Sequence, residues 1–243
     1  MSRSQANRTA VNTPPTRSAK DLIPRSARHR LRRLLRPAIL GTARRTTPLS
    51  RHWGFDRGTP VDRYYIEQFL ERHAADIRGR VLEVKDSTYT DQFGTAVTQR
   101  DVLDIDPLNP LATIVADLTA AEEVASNQFD CFILTQTLQM IYDTHAALRH
   151  AHRLLRPGGT LLVTVPAISR LTKPDFWRFT PAACVNLFGD VFGPGNVTVA
   201  GRGNVLTSVA FLEGMAHQEL TRRELESDDE MFPMIVTVRA VKS

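Results

Sequence analysis

Three observations predict an α/β domain built from parallel βαβ units. Beyond residue 79, short apolar runs alternate with stretches of helical periodicity, the pattern of strands joined by crossover helices. At 243 residues and 42% hydrophobic, the chain can bury one substantial core, so one domain with an appendage is the default. Charge is also segregated. Residues 1–50 hold 12 Lys/Arg against one acid, Asp21, which leaves 19 basic and 25 acidic groups in 51–243 and makes an acidic body behind a basic arm.

The arm comes first. Met1 to Lys20 is polar, carries Pro14-Pro15 and has little to bury, so disorder is expected. From Leu22 to Leu40, Leu and Ile alternate with six arginines between Pro24 and Pro37; a short basic amphipathic helix there could touch a membrane surface weakly. Ordered structure is expected from near Trp53. Thr59 as N-cap, Pro60 at the first helical position and Val61, Tyr65, Phe69 and Leu70 at helical spacing predict a helix over 60–76. Strands are expected near 80–84, 101–105, 112–115, 129–134 and 159–165. A helix over 144–155 is stopped by Pro157-Gly158-Gly159. After Thr180-Pro181, a further helix start, come a strand near 196–200, a helix near 204–220 and a last strand near 234–241.

Several classes are set aside. Cys131 and Cys184 lie in apolar surroundings with no paired framework, which argues against a disulfide-stapled secreted fold. No apolar run reaches membrane-span length and Met1 to Lys20 lacks a signal-peptide core, so a cytoplasmic location is expected. No Cys/His cluster has zinc spacing and no metal is expected.

In an open parallel sheet, ligands bind beyond the carboxyl ends of the strands. The first such loop, Lys85-Asp-Ser-Thr-Tyr-Thr90, has no glycine before Gly94, which excludes the dinucleotide fingerprint. The second strand ends in Asp104-Ile-Asp106, an acid placed to grip both hydroxyls of a ribose; Asp106 is the first choice and Asp104 the reserve, with a turn-forming Asp before Pro107 as the plain alternative. Asp117 reads either as a helix cap or as an acid near an adenine amine.

Together, Val81-Leu-Glu-Val84, Asp104-Ile-Asp106, Ala116-Asp-Leu118, Phe129 to Leu138 and Leu154 to Val163 resemble the class I S-adenosylmethionine-dependent methyltransferases, over a span from about residue 53 to the C-terminus. The resemblance implies a Rossmann-like seven-stranded sheet, mostly parallel with an antiparallel last strand and helices on both faces. It also implies S-adenosylmethionine as cofactor, with Glu83, Lys85, Asp86, Asp106, Asp117, Leu118 and Gln136 around it, and methyl transfer by direct displacement. The segment Trp53 to Ile66 is similar to the lead-in of bacterial members among sugar and polysaccharide biosynthesis enzymes, which suggests a hydroxyl of a small molecule or glycan as acceptor.

Two positions depart from the pattern. Lys85 stands where relatives have the first glycine of a close-approach loop, and Met140 stands where many small-molecule members have a histidine. His145, Asp143 and Tyr65 are the candidate replacement bases, with surface, cap and core roles as their plain alternatives. Alignment alone supplies much of the barrier reduction, so activity does not require the missing histidine. The departures leave open a catalytically silent binding or scaffolding protein of the same fold. An RNA methyltransferase anchored by its arm is the other alternative, and the acidic body argues against nucleic acid. The Phe176-Trp-Arg-Phe-Thr180 run reads either as an acceptor platform or as a packed loop.

Overall fold

A computed structural model describes Pro24, Ala27, Gly41 and residues 44–243. The expected disorder of 1–20 and most of the expected basic helix of 22–40 lie outside the described residues. The chain divides into two units, Met1–Thr46 and Thr47–Ser243, and the second carries the folded core.

In that unit the helix α1 (Val61–Arg72) leads into β1 (Arg78–Val84), followed by α2 (Thr88–Phe93), β2 (Ala96–Asp104), β3 (Ile114–Val115) and β4 (Phe129–Thr135). Next come α3 (Thr144–Leu154), β5 (Leu155–Pro166), α4 (Pro181–Phe192), β6 (Val197–Arg202), α5 (Val205–Glu213), α6 (Arg222–Glu226) and β7 (Ile235–Val241). The seven strands form one sheet in the order β3-β2-β1-β4-β5-β7-β6. The pairs from β3 through β5 are parallel, and β7 runs antiparallel to both β5 and β6. This is the doubly wound, antiparallel-ended sheet implied by the resemblance.

Both faces are covered because the central strands are apolar on both sides. In β4, Phe132 and Leu134 join Leu148, Leu154 and Phe188 in one core cluster, while Cys131 and Ile133 join Ile66, Leu70 and Val81 in the other. The period-2 alternation thus sends one set of side chains toward α3 and α4 and the other toward α1 and α5.

Helix boundaries moved where a cap differs from the one read in sequence. Pro60, not Thr59, is the N-cap of α1, because the Thr59 hydroxyl accepts from Gln218 Nε2 instead. The helix expected over 204–220 ends at Glu213, where Gly214 takes the left-handed conformation at φ 70° that closes a helix. The Asp143 carboxylate caps α3 by accepting from Ala146 N at 2.8 Å, and Thr180 caps α4 in the same way. Helix α2 was missed: six residues are too few to show a period. Strand order reverses between β1 and β4, the switch point at which such sheets bind ligands.

Candidate active site

The candidate site lies at the carboxyl ends of β1, β2 and β4, where the order of a doubly wound sheet reverses and such sheets bind ligands. Beyond β1 the chain turns at Lys85, whose φ of 76° lies in the left-handed region where glycine is free of strain. A non-glycine residue pays on the order of 1–3 kcal/mol there, so the surroundings must fix it. They do so from both sides: Lys85 N donates to Leu103 O at 2.9 Å, and Asn109 Nδ2 donates to Lys85 O at 2.7 Å. Asp86 Oδ1 then accepts from Thr88 N at 2.9 Å and Ser87 precedes α2.

Glu83, 2% exposed, closes this loop from below. Its carboxylate accepts from Tyr89 N at 3.1 Å, Thr90 N at 2.8 Å and Thr90 Oγ1 at 2.7 Å. Burial pushes its pKa from 4.5 up to about 7, against the pull of these donors. Its carboxylate thus ties the end of β1 to the start of α2.

The two acids at the end of β2 have different surroundings. Asp104 is the last residue of β2 and half-buried; it accepts from Asn109 Nδ2 at 2.6 Å and from Asp106 N at 3.0 Å. Burial raises its pKa, but these donors and the nearby Lys85 charge outweigh that and hold the carboxylate below its usual range. Asp106 is exposed beyond the strand and folds its Oδ1 onto Leu108 N at 2.9 Å, the turn-forming role of an Asp before Pro107. Asn109 links Lys85 and Asp104 with one amide. Sequence reading missed it; its placement between two prolines, after the strand-ending acid, was the available signal.

The remaining residues divide between rim and core. Asp117 is exposed and accepts from Thr119 N and Oγ1, both at 2.8 Å. Leu118 is 6% exposed and packs in the core. Gln136 follows β4 at φ 46°, its N–H donating to Thr164 O at 2.8 Å and its carbonyl accepting from Gln139 Nε2 at 2.8 Å. Gln139 is buried and its Oε1 has no partner among the described residues. Asp143 and His145 are exposed at the start of α3, just past Met140. Tyr65 has the surroundings of its core alternative: it is fully buried, its hydroxyl donates to Leu225 O at 2.9 Å, and burial pushes its pKa up to about 12.

Among the described residues, no group of three or more His, Cys, Asp or Glu side chains could hold a metal ion, and no helix is long and apolar enough to cross a membrane. A cavity of about 510 Å³ lies at the opposite rim of the sheet, lined by Asp76, Arg78, Asp130, Gly158, Thr160 and Arg239. Volume alone does not make it the chemical site. Its Asp76 is paired with Arg239 and its Asp130 with Arg156, so both acids of that rim are engaged by guanidinium groups.

Residues 67–163 match the family model described as a methyltransferase domain. No curated protein sequence matches the chain. Among solved structures, a SAM-dependent methyltransferase from Archaeoglobus fulgidus aligns with TM-score 0.52 at 11% identity, over 79% of this chain and 100% of that one. One from Mesorhizobium loti aligns with TM-score 0.48 at 15% identity, over 71% and 95%. The first of these likenesses shows the fold, and the family match covers the strands that build the cleft. One observation fits such a donor: the left-handed Lys85 keeps the backbone path that a glycine would give. Residues 67–163 thus carry the match to a methyltransferase domain, and the fold around them is one shared with a SAM-dependent methyltransferase, the chemistry for which S-adenosylmethionine is the cofactor.

Proposed function

We propose that the protein transfers a methyl group to a hydroxyl of a small molecule or glycan intermediate. The cofactor, when bound, supplies an electrophilic methyl on a sulfonium centre. Asp104 would hold its ribose, Lys85 its carboxylate, and Asp117 would face the adenine side. The observation that carries the oxygen reading is the placement of Asp143 and His145 on the rim beyond β4, the strand next to β1. A hydroxyl must lose its proton as the new bond forms, and these two groups supply a carboxylate and an imidazole where the usual histidine is replaced by Met140.

Mass and NMR analysis of products from a panel of hydroxyl-bearing acceptors, incubated with labelled S-adenosylmethionine, tests this. An O-methyl ether that falls at least tenfold in yield in His145→Ala or Asp143→Ala supports it; N- or C-methyl products contradict it. A second reading, a silent fold that acts as a binding partner, draws on Lys85. If the lysine stem fills the loop instead of reaching the donor, no methyl donor enters.

A further inference from the structure

The residues past β4 and β5 carry a surface feature apart from the groups named above for the donor. Tyr142, 71% exposed, stacks obliquely on Trp177 at 5.8 Å between ring centroids with 27° between planes, and meets Phe176 edge-on at 5.4 Å. Trp177 is 39% exposed and Phe176 50%. Exposed aromatic rings forgo the free energy that burial would give, so three of them together call for a reason.

The cluster is braced. Trp177 Nε1 donates to Ile141 O at 3.0 Å and to Tyr142 O at 3.2 Å, which spends the polar atom of the indole on the backbone. Phe176 N and Trp177 N both donate to Gln139 O, at 2.9 and 3.3 Å. Asp175 ties the preceding turn, accepting from Thr172 N at 2.8 Å and pairing with Arg178. The rings are thus fixed to the turn that begins at Gln136, at the carboxyl end of β4.

We propose that Tyr142 and Trp177 form a stacking platform for a pyranose ring of a saccharide acceptor. This rests on the methyl-transfer reading and narrows its acceptor. Sites for compact aromatic ligands are concave and enclose most of the ligand. Here the aromatic surface is open to solvent. An open apolar face suits the C–H side of a sugar unit within a larger saccharide, whose remaining units stay in water. The exposed Asp143 and His145, within three residues of Tyr142, offer hydrogen-bonding groups beside that face for the ring hydroxyls.

The test titrates the full chain, with S-adenosylhomocysteine present, against methyl pyranosides of several configurations and against catechol, by calorimetry and by tryptophan emission. The expected result is millimolar binding of at least one pyranoside, an emission change that Trp177→Phe abolishes, and a loss of about tenfold in Tyr142→Ala, the scale of one lost aromatic contact. Tyr142→Phe should bind within about twofold of wild type, because the face and not the hydroxyl is used. Since Tyr142 is largely exposed, neither substitution threatens the core. The proposal is overturned if no pyranoside binds, if catechol binds more tightly than all of them, or if Tyr142→Ala binds like wild type. Pyranoside binding without any methyl transfer would instead remove the methyl-transfer reading and leave the platform. O-methylation of a non-saccharide that is unaffected by Tyr142→Ala would do the reverse.

Discussion

At the amino-terminal rim of the sheet, Asp76 is held by two bonds from Arg239 at 2.7 and 2.8 Å, Asp130 is paired with Arg156, and Arg80 bonds Asp101 at 2.7 Å. At the carboxyl rim, Asp86, Asp106, Asp117 and Asp143 each accept from an N–H two or three residues further on. Among the described residues, none of these four forms an ion pair. A carboxylate has about four lone-pair directions. One that caps a local turn keeps most of them available to a ligand, while one bridged by a guanidinium across strands does not. The same residue type therefore staples one rim and equips the other.

The comparison is sharpened most by Asp104. Asp104→Ala should weaken S-adenosylmethionine binding at least tenfold, since charge-assisted bonds contribute about 1.5–3 kcal/mol, whereas Asp106→Ala should leave affinity within about threefold. Calorimetric titration of both variants checks the ranking; a larger loss in Asp106→Ala would return the ribose role to the exposed acid.

Glu83 stands just beneath that rim, and its raised pKa has a stability consequence. A carboxylate lifted from 4.5 to about 7 contributes stability that is fully present below 4.5 and is lost as pH rises through about 7. Replacing it with glutamine, which keeps the shape and an acceptor oxygen, should flatten the fall in melting temperature between those two pH values. Parallel melting curves for wild type and Glu83→Gln across that window test the direction, and a wild type that gains stability with rising pH relative to Glu83→Gln would contradict it.

The smallest effect belongs to the opposite rim. Asp76→Asn removes a partly exposed pair, so stability should fall by no more than about 1 kcal/mol, with donor affinity unchanged. Chemical denaturation and donor titration on the same preparation separate the two. A loss of affinity would mean that the amino-terminal rim also serves the site.

Much of this was legible in the sequence because the signals are local. The apolar runs of β1, β4 and β5, the caps Asp143 and Thr180 and the Pro157-Gly158-Gly159 break each act within a few residues. What stayed hidden depends on distant partners. Asp104 and Asp106 are two residues apart on one strand end, and only the fold shows that Asn109 joins the first of them to the Lys85 carbonyl. Tyr65 reads equally as core or base until Leu225, 160 residues away, takes its hydroxyl. The bonds of Glu83 to the start of α2 were hidden because that helix is too short to be seen.

The central claim is that Lys85 takes over a glycine's conformation and still admits the donor. Isothermal titration of S-adenosylmethionine into wild type, Lys85→Met and Lys85→Gly tests it most directly. The account predicts that wild type binds, that Lys85→Met loses about 1–3 kcal/mol, the range for a charged hydrogen bond, and that Lys85→Gly gains nothing over wild type. A wild type that does not bind, together with a glycine variant that does, would contradict it and make Lys85 a plug in the cleft.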